Sequence, residues 1–165
     1  MAKMARGSRV VVSSLLEQLD EAYDRQSWHG PNLRGSLRGL SSDQALWRPA
    51  PGRHNVWEIA VHAAYWKYAA RRRLTGEKRG AFPRKGSDWF PSPVSPGEAE
   101  WRDDIGLLRE SHRLLRDAVA RLTDADLRRR ARGSKVTVAH LVRGVAAHDL
   151  YHAGQIQLLK RLLRS

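Results

Sequence analysis

The sequence predicts an all-α fold, a four-helix bundle with long crossover connections. Four long segments space their apolar residues three to four apart, and no stretch of useful length alternates in the manner of a strand. Turn residues fill the stretches between them, and capping residues stand where the periodic segments begin and end. The connections after the first and second segments are too long for simple helical hairpins, so the chain must cross over. The 165 residues suit a single domain spanning 1–165.

The first helix is expected from about Ser8 to Trp28, with Val11, Leu15, Leu19 and Ala22 on one face. A long connection follows, broken by Gly30, Pro31, Gly35, Gly39, Pro49, Pro51 and Gly52. Within it, Ser41 and Gln44 have the spacing of a capping box for a short helix. The second helix starts near Asn55 and ends before Gly76, with a stripe of Ile59, His62, Ala63, Trp66 and Ala70. The next connection carries Gly80, Pro83, Gly86, Pro91 and Pro93, together with Phe82, Trp89 and Phe90. Flexible linkers seldom hold three large rings, so this loop is expected to fold back onto the bundle. Ser95, Pro96 and Glu98 announce the third helix, whose face is Trp101, Ile105, Leu108, Leu115, Val119 and Leu122. Residues 123–132 read as a turn with room for one short helix. The fourth helix runs from about Thr137 to Leu163 on a stripe of Leu141, Val145, His148, His152, Ile156, Leu159 and Leu163.

The chain has no cysteine, which excludes disulfides, thiolate metal ligands and a cysteine nucleophile. No run is long enough for a transmembrane helix, and no membrane partner is expected. Lys3 and Arg6 before Val10–Val12 faintly resemble a signal peptide, but Ser13, Ser14 and Glu17 soon break the apolar stretch. The expected location is the cytoplasm. The formal net charge is +13, yet arginine is scattered over every segment rather than gathered on one face. This pattern reads as a solvated surface, and specific nucleic-acid binding is not expected.

Position separates the seven histidines. His148 and His152 are four apart, share one helix face and fall within the apolar stripe. Buried imidazoles need partners for their nitrogens, and a metal satisfies both at once. His62 lies on the inward stripe of another helix and can supply a third ligand. Spacing alone leaves open the plainer reading of hydrogen-bonded core histidines. Three imidazole ligands leave a coordination position open, as catalytic sites do, and suit zinc, nickel or ferrous iron. Glu58, one turn before His62, is a candidate catalytic proton acceptor or a partner orienting an imidazole. Asp149 beside His148 has the same second possibility, with surface exposure the preferred reading. His29 and His54 lie in or beside loops, His112 near the edge of the third helix's apolar face, and His140 beside Leu141 rather than in the stripe.

At these residues the chain resembles the DinB/YfiT-like superfamily of metal-binding four-helix bundles. The segments that carry the resemblance are HNVWEIAVHAAYWKYAARRRLTGE at His54–Glu77 and HDLYHAGQIQLLKR at His148–Arg161. HGPNLRGSLRGL at His29–Leu40 and FPRKGSDWF at Phe82–Phe90 extend it over nearly the whole chain. His62, His148 and His152 match the family's second-helix histidine and its fourth-helix H-x-x-x-H pair. The resemblance implies an up-down-down-up helix order, a nickel or zinc ion and frequent homodimers. It also implies relatives that act as S-transferases on bacillithiol or mycothiol, and a mycothiol-dependent maleylpyruvate isomerase.

Three function classes follow. The first is a divalent-metal-dependent transferase that joins a low-molecular-weight thiol to a small-molecule electrophile. Arg53 and Arg143 are loose candidates for holding that thiol's carboxylates. The second is a metal-dependent hydrolase that activates water, with Glu58 as base. The third is a non-enzymatic module that binds metal or nucleic acid.

Overall fold

The computed structural model describes residues 9–95 and 97–164. The basic start at Lys3 and Arg6, the expected first-helix start at Ser8, and Pro96 lie outside them. Six α-helices are described: α1 (Val10–Tyr23), α2 (Leu33–Leu37), α3 (Ser42–Leu46), α4 (Val56–Thr75), α5 (Glu98–Ala120) and α6 (Val138–Leu162). The long helices are α1, α4, α5 and α6, as the periodicity predicts. Residues 126–128 form one 3-10 turn, and the described residues contain no strand, only an isolated bridge between Arg130 and Thr137. No helix among the described residues is long and apolar enough to cross a membrane.

The helix ends show where side chains overrule simple periodicity. α1 stops at Tyr23 rather than Trp28, because Asp20 O accepts from both the Asp24 and Arg25 amides and closes the last turn. Trp28 is fully exposed. The far end of α1 is finished from a distance: Asp124 Oδ1 accepts the Val12 N–H at 3.0 Å. α5 starts at Glu98, with Gly97 rather than Ser95 as its cap. Its Glu100 carboxylate reaches back to accept the Gly97 N–H at 3.0 Å, while Glu98 accepts the Ser42 N–H at 2.7 Å. Ser41 and Gln44 form the expected reciprocal capping box on α3. α2 has no counterpart in the sequence reading; Asn32 caps it by accepting the Gly35 N–H at 2.8 Å. α4 ends at Gly76, whose positive φ of 81° suits glycine. A Cβ there would also stand 2.6 Å from Arg132 Nη1.

α4 is the central element and packs against both α5 and α6, while α1 packs on α6 and α5. Its buried set includes Val56–Ala64, Lys67–Ala70 and Leu74, far more than one stripe. Leu19, Leu115, Val138 and Val142 form one apolar cluster toward one end. Trp57, Ala60, Trp101, Leu108 and Ile156 form a second toward the other. On α1 the inward residue is Val12, and Val11 is half exposed. On α6 the buried face is shifted from the expected stripe toward Val142, Ala146, Asp149 and Ala153. The long connections are pinned by side chains reaching backbone carbonyls: Trp101 Nε1 donates to Leu40 O, and Lys160 Nζ donates to Ser36 O and Arg38 O.

Between the two clusters sits a buried polar group that the periodicity did not anticipate. Lys67 of α4 and Asp149 of α6 form an ion pair, and both side chains are wholly buried. The preferred reading of Asp149 as a surface residue is therefore overturned. The Lys67 ammonium also approaches His112 Nδ1 at 3.3 Å and the Tyr23 ring centroid at 5.0 Å. His112 stacks on Tyr23 with ring centroids 3.9 Å apart. Burial, then the Lys67 and Arg116 charges, push the His112 imidazole down to about 2, so it stays neutral and accepts from Lys67. Four helices thus meet at one buried charge pair.

Removing one partner strands the other charge in the core. Lys67→Met is expected to lower unfolding stability by about 3–5 kcal/mol in urea titrations, and Lys67→Met/Asp149→Leu to recover most of that loss.

Candidate metal centre

α4 presents His62 and α6 presents His148 and His152 to one another across the bundle. His62 Nε2 lies 3.1 Å from His148 Nε2, and His152 Nε2 lies 3.0 Å from it. One nitrogen from each histidine falls within a 4.8 Å cluster, with His62 and His152 buried and His148 half-buried. The structure thus brings together the three histidines that the sequence reading selected. His54 and His112 make other contacts, and His29 and His140 are exposed. Arg53 and Arg143 are exposed as well.

The outer ring nitrogens explain why the inner ones converge. His62 Nδ1 donates to the Asp88 carbonyl at 2.8 Å. His152 Nδ1 donates to Gln155 Oε1 at 2.7 Å. A carbonyl oxygen only accepts, so each proton sits on Nδ1 and each Nε2 turns a lone pair inward. Burial pushes His148 down to about 3, helped by His152 and His62, and pushes His152 down to about 4. Burial lowers His62 too, against the opposing pull of Asp88. Neutral imidazoles with inward lone pairs are the protonation state that a cation requires. Two imidazole nitrogens on one cation at about 2.0–2.1 Å stand roughly 2.9–3.4 Å apart over octahedral to tetrahedral angles. Two of the three pairs, at 3.0 and 3.1 Å, fall in that range, and the third, His62 to His152, lies within 4.8 Å. The donor set therefore fits a borderline divalent metal, and it contains no carboxylate among the described residues.

A loop closes one side of the cluster. Trp89 lies flat between two histidines, 3.9 Å from the His62 ring and 3.6 Å from the His54 ring, centroid to centroid. Phe90 is buried, and Phe82 packs on Tyr65 and Tyr68, so the aromatic loop does fold back onto the bundle. Asp88 adopts a φ of 70°, rare for a residue with a Cβ, and this turn delivers its carbonyl to His62. Its carboxylate accepts Trp66 Nε1–H at 2.8 Å.

Glu58 anchors this loop. Arg48 grips both of its oxygens, His54 Nδ1 lies 2.8 Å from Oε2, and the Ser92 amide donates to Oε1 at 3.3 Å. Burial opposes its charge, but the hydrogen bonds from Arg48 and His54 prevail and hold its carboxyl at about 2. A carboxylate so acidic and so fully engaged is a weak proton acceptor. Its contacts run from Arg48 through His54 to the Trp89 stack on His62. Asp88, Trp89, Gln155 and Arg48 were not picked out as parts of this site by sequence reasoning. Gln155, three residues after His152 on one helix, is the only one whose spacing signals its role.

The fold and the histidine cluster together define a helical bundle with a three-imidazole cage between its helices. The profile of the DinB superfamily matches residues 25–156, and the chain belongs to that superfamily. No curated protein and no solved structure matches it.

Because the Glu58 carboxyl is depressed in the folded state, its stabilising effect is complete above its ordinary range and is lost as pH falls toward 2. Urea midpoints are expected to drop between about pH 4.5 and 2. Glu58→Gln should flatten that part of the profile while costing about 1–2 kcal/mol at pH 7, a figure reduced for the partial exposure of Arg48.

Proposed function

We propose that this protein is a divalent-metal-dependent enzyme that transfers a low-molecular-weight thiol to a small-molecule electrophile. The observation that carries the reading is the convergence of three neutral Nε2 atoms, with His148 left half-buried on the side away from the aromatic loop. His62, His148 and His152 would hold the metal, zinc or nickel in preference to iron by likeness to the superfamily. A divalent cation there lowers the pKa of a protic group at its open position, thiol or water alike.

The surrounding residues favour thiol transfer over hydrolysis. A hydrolase of this kind gains from a nearby carboxylate that accepts the proton of water. Glu58 and Asp149 are engaged by cations, Arg48 and Lys67, and the Asp88 carboxylate lies on the outer nitrogen of His62, 3.3 Å from Nδ1, where it accepts from Trp66. Thiols are far more acidic than water, so a thiol cosubstrate has less need of such a base. The chain itself has no cysteine, so the sulfur must come from outside.

Metal analysis of the purified protein should find about one divalent ion per chain, lost in His62→Ala and in His148→Ala/His152→Ala. Metal contents unchanged by these substitutions would sink the proposed ligand set. Gln155→Leu removes the acceptor that orients His152, and should weaken metal binding about 10–100-fold in chelator competition. Incubation of the metal-loaded protein with an aryl halide electrophile should give product only when a low-molecular-weight thiol is present. Turnover without thiol would overturn transfer in favour of hydrolysis.

A further inference from the structure

A groove of about 340 Å³ runs between α4 and α6 and opens at His148. Trp66, Ala70 and Arg73 of α4 form one wall, at spacings that share a helix face. Leu141, Gly144, Val145 and His148 of α6 form the other. The two helices run antiparallel here: Trp66 meets His148 at one end, with ring centroids 6.4 Å apart. At the other end the Arg132 amide donates to Arg73 O at 3.2 Å, close to the start of α6. The middle is apolar, with Ala70 and Val145 buried beneath it.

The polar groups are placed unequally. No acidic side chain lines the groove, while Arg73 and His140 do. Arg73 makes no ion pair among the described residues, in contrast to Arg71, which pairs with Glu77. Its guanidinium stands 6.0 Å from the Trp66 ring centroid, so it hangs over the groove rather than over solvent alone. An unpaired guanidinium above an apolar floor offers a two-pronged seat for a carboxylate. The volume is at the lower end of small-ligand sites.

We propose that this groove binds a small organic anion, its carboxylate on Arg73 and its short apolar body lying over Ala70 and Val145 toward His148. This names the electrophile class for the transferase above, and rests on that reading only for what happens at the His148 end. The guanidinium lies 6.0 Å from the Trp66 ring and that ring lies 6.4 Å from the His148 ring, so a short chain spans the groove. Gly144 lies on the α6 wall, and a Cβ built on it meets nothing within 4 Å, so a larger side chain there would enter open space.

The test is calorimetric titration of the full-length protein, with its metal content measured separately, using hexanoate, hexan-1-ol and hexylammonium as probes. Hexanoate should bind at least tenfold more tightly than hexylammonium. Gly144→Leu, which fills open space and improves helix propensity, should weaken hexanoate at least tenfold with metal content unchanged. Arg73→Gln should weaken hexanoate about tenfold and leave hexan-1-ol unaffected, the scale of one charge-assisted pair. His62→Ala, which removes a proposed metal ligand outside the groove, should still bind hexanoate. Equal binding of all three probes, or wild-type affinity in Gly144→Leu and Arg73→Gln, would overturn the proposal. Loss of hexanoate binding in His62→Ala alone would also overturn it, by placing the carboxylate on the metal. Purified wild type that contains no divalent ion and takes none up, yet keeps the Arg73-dependent affinity, would refute the metal reading and leave the groove assignment standing.

Discussion

The ion pair between Lys67 and Asp149 is the constraint on which the centre of this bundle depends. Two wholly buried opposite charges have little tolerance for separation, because each one alone would face a medium that solvates it poorly. The pair therefore sets α4 against α6 along their axes. His62 lies five residues before Lys67, and His148 is the immediate neighbour of Asp149. Once the charges meet, His62 comes opposite His148, and His152 follows one turn along. The neutral His112 and the Tyr23 ring complete the environment of the ammonium, tying α5 and α1 to the same point.

A second constraint acts from outside the helices. Glu58 gathers Arg48, His54 and the Ser92 amide, and so fixes both ends of a path over the histidines. Trp89 is held flat between His54 and His62, and Asp88 turns its carbonyl onto His62. The same carboxylate that lies one turn from His62 in sequence thus works through the loop rather than on a reacting proton. Aromatic rings close one side of the imidazole cage, and the α4–α6 groove reaches it at His148.

Much of this was legible in the sequence. Helix periodicity located the four long helices, and Asn55, Thr137 and Gly76 marked ends where the structure has them, since caps are local chemistry. The His148–His152 pair and His62 stood out because polar rings on an apolar stripe need an explanation. Other signals misled for physical reasons. Val11 and Val12 are equally apolar, and only packing on α6 chooses Val12. Lys67 sits four residues after Ala63 on the buried side of α4, but periodicity treats a lysine as surface unless its partner is known. That partner lies on another helix, 82 residues away.

The sequence by itself determined the four long helices, the absence of any cysteine thiol, and the inward positions of His62, His148 and His152, because these depend on residue type and on spacing within one turn or two. The tertiary structure alone decided that Asp149 is buried and paired, that Glu58 anchors a loop, and that Asp88, Trp89 and Gln155 orient the imidazoles. It also decided that a groove with an unpaired arginine leads to His148. Each of these is a meeting of side chains from separate elements, and spacing along one helix carries no information about what another helix or loop places opposite it.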